Sequence, residues 1–263
     1  MADLADDLVR FWTAIDAGLE RVQPVWWGAV VTDPRFPDVW DTNYARVETA
    51  DAALSLAEVS AVLGPALEVA GAAAVHVVMF RPETTSLLLG ELTQRGDRPS
   101  WDVVMVHEGE LPPIEPEAVE ELRVDAELWD RVASSLSSFG ITRPDTVRQL
   151  LRIERDVLDP GVSKRWFGAR DGSGRVMALG ALVLLAGLGY VDHIVTFPEA
   201  RGRGHARAVV SRIIHEARSD GVDRTFLLVD PDGPVSLYER VGFREATRIA
   251  STLAPRQTRG GGR

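Results

Sequence analysis

Leu4, Leu8, Phe11, Ile15 and Leu19 recur at three- and four-residue spacing, so the chain opens with an amphipathic helix. Residues 26–31 follow as a strand, residues 33–37 as a proline-rich loop, and residues 44–47 as a second strand. The pattern then alternates: a helix over 54–69, a buried strand over 74–80, a helix over 82–94 and a strand over 101–106. That is alternating α/β order.

Three prolines fall between Leu111 and Pro116. Proline has no donor and disfavours helix before it, so this segment reads as a linker. The division it predicts is residues 1–110, a linker at 111–117, a second domain at 118–254 and a disordered tail at 255–263. The second half is expected to hold a strand at 119–124 and helices at 126–138 and 145–157. Strands at 164–169 and 176–185 flank Asp171-Gly172-Ser173-Gly174, a strong hairpin signal. Another strand covers 190–196. The clearest helix covers 203–219, with Ala206, Val209, Val210, Ile213, Ile214 and Ala217 on one face. A buried strand at 225–229, a short helix at 234–241 ending at Gly242 and Phe243, and a strand at 244–253 complete the order.

Composition narrows the chemistry. The 263 residues are 45% hydrophobic and 26% charged and include no cysteine, which excludes disulfides and any thiolate nucleophile or ligand. A net charge of −10 argues against broad nucleic-acid binding, which needs clustered Lys and Arg. The five histidines are scattered and offer no metal-ligand spacing, so no metal is expected. The start, MADLADDLVRFW, lacks the basic end and apolar run of a signal peptide. The longest apolar stretch, 176–188, is too short and glycine-broken to span a bilayer. The expected location is the cytoplasm, with no membrane partner and either a monomer or a homodimer.

Chemistry concentrates in YVDHIVTFPEARGRGHA, residues 190–206. A strand enters a short loop with Gly202 and Gly204, and the loop opens onto the strongest helix. Glycines let backbone N–H groups approach a ligand. The first helical turn adds free N–H groups and the positive end of the dipole. Arg201, Arg203 and Arg207 add charge. A pyrophosphate suits such a site; the alternative is a tight strand-to-helix turn with solvated arginines. A dinucleotide fingerprint does not fit, because Arg207 stands where its third glycine belongs. A P-loop is excluded by the absence of a Gly-Lys-Ser/Thr ending. About thirty residues on lies SLYERVGF, residues 236–243.

In that order and spacing, ARGRGHA and SLYERVGF resemble the GNAT superfamily of N-acetyltransferases. The resemblance covers residues 175–252 closely and reaches back loosely to 119. It implies an α/β (α+β) chain with the acyl-CoA N-acyltransferase fold, whose mixed, mostly antiparallel sheet splays open between the strands at 190–196 and 225–229. The pantetheine arm would pair with Ile194, Val195 and Thr196, and N–H groups of Gly202, Arg203, Gly204, His205 and Ala206 would hold the pyrophosphate, flanked by Arg201 and Arg207. Tyr238 matches the family tyrosine that protonates the departing sulfur; otherwise it is a half-buried core tyrosine. An N–H near Val195 would stabilise the oxyanion. Asp192 and His193 are the candidate bases. Strand alternation sends them to opposite faces, with Asp192 on the side of Ile194 and Thr196; the alternative is that both are ordinary strand residues and water takes the proton.

The resemblance implies transfer of an acetyl group from acetyl-CoA, as co-substrate, to a primary amine of a small molecule or protein. The alternative is a non-catalytic acyl-CoA-binding sensor or interaction module. Two departures stand out. Pro231, between Asp230 and Asp232, occupies a position where the family often has asparagine. The chain after Phe243 has room for one strand where the family has two, so the second is missing or comes from the first domain or another subunit. The first half echoes the element order of the same fold, but no Arg-Gly-x-Gly occurs between Val47 and Leu54. It is read as a degenerate second copy that has lost the coenzyme loop and completes the acceptor cleft. Trp26, Trp27, Trp40 and Trp101 are expected in core or interdomain packing rather than on a recognition surface.

Overall fold

The computed structural model describes residues 3–114, 119–156 and 163–256. Parts of the expected linker (115–117) and tail (257–263), and the last residue of the helix expected at 145–157, lie outside the described residues. The chain forms two compact units: residues 1–102 with 248–263, and residues 103–247. The cut falls inside a strand rather than in the proline segment, and residues 248–256 belong with the first unit. These units therefore divide the chain differently from the ranges read off the sequence.

In the first unit, α1 (Leu4–Asp16) is capped by Asp3, which accepts from the Ala5 N–H. β1 (Arg21–Val25) and β2 (Gly28–Thr32) form an antiparallel hairpin. The apolar run at 26–31, expected as one strand, is thus a two-residue turn at Trp26 and Trp27 followed by β2. Trp27 is fully buried, whereas Trp26 is 60% exposed at the hairpin tip. β2 pairs antiparallel with β3 (Tyr44–Val47), and β3 pairs parallel with β4 (Ala74–Met79) across the helix α2 (Leu56–Ala70). α3 (Ser86–Arg95) follows, and then β5 (Pro99–His107). The other neighbour of β4 is the far half of β11 (Arg244–Pro255), with Ala250 opposite Met79. The core gathers Val47, Leu63, Leu67, Met79 and Leu92 between sheet and helices.

In the second unit a short strand and two helices come before the three antiparallel strands, the helix and the parallel strand that match the first unit's order. β6 is only Glu120–Glu121, shorter than the strand expected at 119–124. α4 (Ala126–Ser135) runs into a 3-10 turn at Leu136–Phe139, and α5 (Pro144–Asp156) follows. β7 (Ser163–Arg170), β8 (Val176–Leu185) and β9 (Leu188–Thr196) form an antiparallel meander. α6 (His205–Ser219) leads to β10 (Thr225–Val229), which pairs parallel with β9. A short helix, α7 (Val235–Glu239), precedes β11. The strand beside β10 is the half of β5 from Val103 to His107, antiparallel, with Leu227 opposite Met105. The strand position that the short C-terminal sequence leaves open is therefore filled by residues 103–107, at the start of the same unit.

Alternation on β7 sorts the two faces of this sheet. Phe167 joins the cluster under α6 with Leu182, Val209 and Ile213. Trp166 joins the cluster under α4 with Leu128, Val132 and Leu179. Besides a register shift at Ala169 and Arg170 of β7, the alternation fails on β9. Leu179 stands opposite Val195 and Ala181 opposite Asp192, so His193 and Ile194 together face Gly180. This is a β-bulge, and His193 takes a left-handed φ of +55°. Gly180 makes room for it: a Cβ there would lie 2.3 Å from Ile194 Cδ1 and 3.0 Å from Val209 Cγ1. Gly180→Ala is expected to lower stability by about 1–3 kcal/mol through overpacking, read as a drop in the denaturation midpoint. An unchanged midpoint would mean that Ile194 and α6 absorb the methyl group and that the bulge does not depend on this glycine.

Candidate functional site

The parallel pairing of β9 and β10 is brief. Gly189 lies opposite Thr225 and Tyr190 opposite Phe226, and there it stops. The Tyr190 and Phe226 rings stack 4.9 Å apart at the last paired position. Beyond it β9 continues to Thr196 and β10 to Val229 without meeting, so the edge of β9 from Val191 onward faces no strand among the described residues. An unpaired strand edge presents a row of N–H and C=O groups to whatever enters. Ile194, Val195 and Thr196 lie on this edge. The Thr196 hydroxyl oxygen is buried with no hydrogen-bond partner among the described residues, and its carbonyl accepts from Arg201 Nε at 3.3 Å.

The open edge leads into the glycine loop. Gly202 and Gly204 have φ of +77° and +82°, the left-handed region in which a side chain is strained. Open space surrounds both positions, so the requirement is conformational rather than one of packing. α6 begins at His205 with Gly204 as its cap, no side chain satisfies the first turn, and no acidic residue lies in it. The N–H groups of His205, Ala206 and Arg207 precede the first helical hydrogen bond, from Ala208 N–H to Gly204 C=O. With Arg201, Arg203 and Arg207 exposed around it, this end of α6 suits a polyanion.

Tyr238 is buried on α7. Gly242 and Phe243 close that helix: the Phe243 N–H donates to Tyr238 C=O at 3.1 Å and the Gly242 N–H to Glu239 C=O at 3.0 Å. The Phe243 ring lies edge-on to Tyr238 at 6.1 Å. Burial pushes the Tyr238 phenol up to about 12, so it keeps its proton throughout the neutral range. In place of the asparagine, Asp230 and Asp232 are exposed in a turn in which Asp230 Oδ1 accepts from the Asp232 N–H at 2.8 Å.

The bulge overturns the parity expected for Asp192 and His193. Both lie on the α4/α5 side of β9, while Ile194 is turned toward α6. Lys164 Nζ lies 2.9 Å from Asp192 Oδ2 and 2.7 Å from Glu154 Oε2. Burial alone would raise the Asp192 pKa, but the Lys164 ammonium outweighs it and the net shift is downward. The carboxylate is therefore a weak base already engaged with a cation. His193 sits between two rings, 5.1 Å from Phe139 and 5.3 Å from Trp166. Its Nε2 is 2.6 Å from Ser135 Oγ. Burial pushes its pKa down to about 4, against the opposing pull of Asp192, so the ring is neutral at physiological pH. Ser135, Phe139, Lys164 and Glu154 carry no motif. Only the helix spacing of α4 and the strand pattern of β7 placed them on elements that the fold brings beside β9.

Residues 128–243 match the sequence model of the acetyltransferase (GNAT) family. This stretch is a GNAT-family domain. It has the acyl-CoA N-acyltransferase fold, with a mixed sheet that does not close. No curated protein matches the chain. Among solved structures, the GCN5-related N-acetyltransferase from Kribbella flavida is similar at 16% identity over 97% of each chain, with a TM-score of 0.62. A functionally unknown conserved protein from Staphylococcus epidermidis is 12% identical over 86% of this chain and 90% of its own, with a TM-score of 0.63. The GCN5-related N-acetyltransferase from Sphaerobacter thermophilus is 24% identical over 69% of this chain and 59% of its own, with a TM-score of 0.51. These likenesses concern the fold.

Because His193 is held neutral in the GNAT domain, it links stability to pH. Its folded pKa of about 4 lies below the ordinary value of 6.5. The unfolded chain binds the proton first, so stability is lost as pH falls from 6.5 toward 4. His193→Gln is expected to remove on the order of 2 kcal/mol of that loss. Urea denaturation of both proteins at pH 7 and pH 5 measures it, and an equal pH response would contradict the burial of a neutral imidazole.

Proposed function

We propose that the GNAT domain moves an acetyl group from acetyl-CoA to a primary amine of a small molecule or protein. The observation that carries this reading is the divergence of β9 from β10 after a two-residue pairing, with the open edge ending at an uncapped helix flanked by arginines. A pantetheine amide chain can pair with the edge at Ile194, Val195 and Thr196 as a strand would. The N–H groups from Gly202 to Ala206, with Arg201, Arg203 and Arg207, suit the pyrophosphate. The orphaned Thr196 hydroxyl fits the same polar guest.

In the proposed reaction the amine nitrogen attacks the thioester carbonyl, a C–N bond forms and the C–S bond breaks. The backbone N–H near Val195 offers a donor to the oxyanion. Tyr238, held protonated by burial, supplies a proton to the departing sulfur. The amine proton passes to His193, the neutral acceptor on β9, because Asp192 is engaged by Lys164. One observation favours the alternative of a non-catalytic acyl-CoA sensor: both candidate bases are weakened, Asp192 by Lys164 and His193 by burial.

We also propose that the first unit is a second copy of the fold that does not take the coenzyme. Its parallel pair, β3 and β4, stays joined through Ala45–Val77, Arg46–Val78 and Val47–Met79, and the Phe80 N–H then donates to Val47 C=O. The corresponding helix end, at α2, is filled by protein: Ser55 and Glu58 form a capping box, and the Leu56 N–H donates to Glu91 Oε2 at 2.6 Å.

Calorimetry with acetyl-CoA should show one site per chain. Gly204→Asp, which sets a carboxylate at the helix end, should weaken binding at least about tenfold; two sites, or none, would contradict this reading. Thiol release with spermidine, 2-phenylethylamine, a lysine-containing peptide and a peptide with a free N-terminus then separates enzyme from sensor. Tyr238→Phe is expected to reduce kcat by about a hundredfold while coenzyme affinity stays within about twofold. Binding without turnover on any of the four amines would favour the sensor.

A further inference from the structure

Ser135 ends α4 in a fully buried position. Its hydroxyl donates to the Val132 carbonyl at 2.7 Å. A serine hydroxyl has one hydrogen, and with that hydrogen on Val132 the oxygen is left as an acceptor. His193 Nε2 lies 2.6 Å from it. Two lone pairs do not meet at that distance without a hydrogen between them, so the hydrogen belongs to Nε2 and Nδ1 carries the free pair.

We propose that Ser135 is a positioning residue that accepts the Nε2 hydrogen of His193, holds the ring in this one tautomer, and thereby presents Nδ1 as the atom that takes the proton of the incoming amine. The amine half of this proposal rests on the acetyl-transfer reading; the tautomer does not. When the amine bonds to the acetyl carbon, its surplus proton moves to Nδ1. The imidazolium keeps its Nε2 hydrogen on Ser135.

The groups around His193 support the assignment. Phe139, in the turn after α4, and Trp166, on β7, meet the ring edge to face and fix its plane. Asp192 on β9, Lys164 on β7 and Glu154 on α5 are the charged neighbours. Lys164 lies between the two carboxylates, which leaves Asp192 near enough to favour an imidazolium and too engaged to compete for the amine proton. The left-handed backbone at His193 is a strained conformation for a non-glycine residue, and the bulge is what turns the ring toward Ser135.

The test uses the full-length protein labelled with 15N and needs no ligand. Imidazole nitrogen resonances at pH 7, with those of His193 assigned by their loss in His193→Gln, are expected to show a protonated Nε2 and an unprotonated Nδ1. Ser135→Ala should shift this pattern to a mixture of tautomers, and Ser135→Thr, which keeps the hydroxyl, should retain it. With the amine that wild-type protein acetylates fastest among the four above, Ser135→Ala should lower kcat by about tenfold or more, leave KM for acetyl-CoA nearly unchanged and move the acidic limb of the pH profile. A protonated Nδ1 in the wild type, or an unchanged spectrum in Ser135→Ala, overturns the tautomer. An altered spectrum with undiminished turnover overturns the positioning role. If wild-type protein turns over none of the four amines, the amine half falls with the acetyl-transfer reading, and the spectrum still decides the tautomer.

Discussion

Two residues of parallel pairing, Gly189 with Thr225 and Tyr190 with Phe226, govern what the second unit can do. A buried strand edge is costly unless its N–H and C=O groups find partners. β9 nonetheless runs on for six residues past the fork, and β10 for three. Each strand is secured on its other side, β9 by β8 and β10 by β5, so the divergence does not unravel the sheet. Tyr190 and Phe226 stack at the fork. Gly189 allows close approach there, since a Cβ would lie 2.9 Å from Thr225 Cγ2 and 3.4 Å from the Ala217 methyl. The strands are pinned at one end and free at the other, and a linear guest that pairs like a strand matches that shape.

The first unit has the same connectivity and the opposite outcome. Its parallel pair holds through three residue pairs and one further hydrogen bond, and the helix between the strands is capped by its own serine and by glutamates. Two local changes thus separate a sheet that closes from one that opens: how far the parallel register runs, and whether the following helix starts with acidic side chains or with glycines among arginines. The first unit also takes in a strand from beyond its own run of chain, the far half of β11, whereas the second begins inside β5.

Most of this architecture was legible in the sequence, because amphipathic period and turn chemistry act locally. The strands at 44–47 and 225–229 appear where the pattern put them. So does the Gly242–Phe243 stop, whose two hydrogen bonds need only a left-handed glycine and an apolar residue after it. What could not be read is non-local. Trp26 and Trp27 look like strand residues, but the pairing of β1 with β2 makes them a turn. The proline segment looks like a boundary, but the cut lies in β5, whose partner β10 is more than a hundred residues away in sequence. No local signal announces a strand pairing across that distance.

The bulge at His193 is the most instructive case, because the sequence cue exists and is indirect. Alternation on β9 predicts that Asp192 and His193 part company, and that holds only if every residue of β8 opposes one residue of β9. Gly180 breaks the count. With no side chain there, Ile194 drops toward α6 and His193 takes the left-handed turn that the extra residue requires. A glycine inside an otherwise apolar strand is a recognised mark of such a site, and Gly180 lies in the middle of β8, flanked by Leu179 and Ala181. The consequence reaches the chemistry. In a regular register Asp192 would share the face of Ile194; in the bulged one it lies with Lys164 and Glu154, and His193 meets Ser135 between two aromatic rings. The bulge for which Gly180 leaves room therefore sets Asp192 beside a cation and His193 beside a serine hydroxyl.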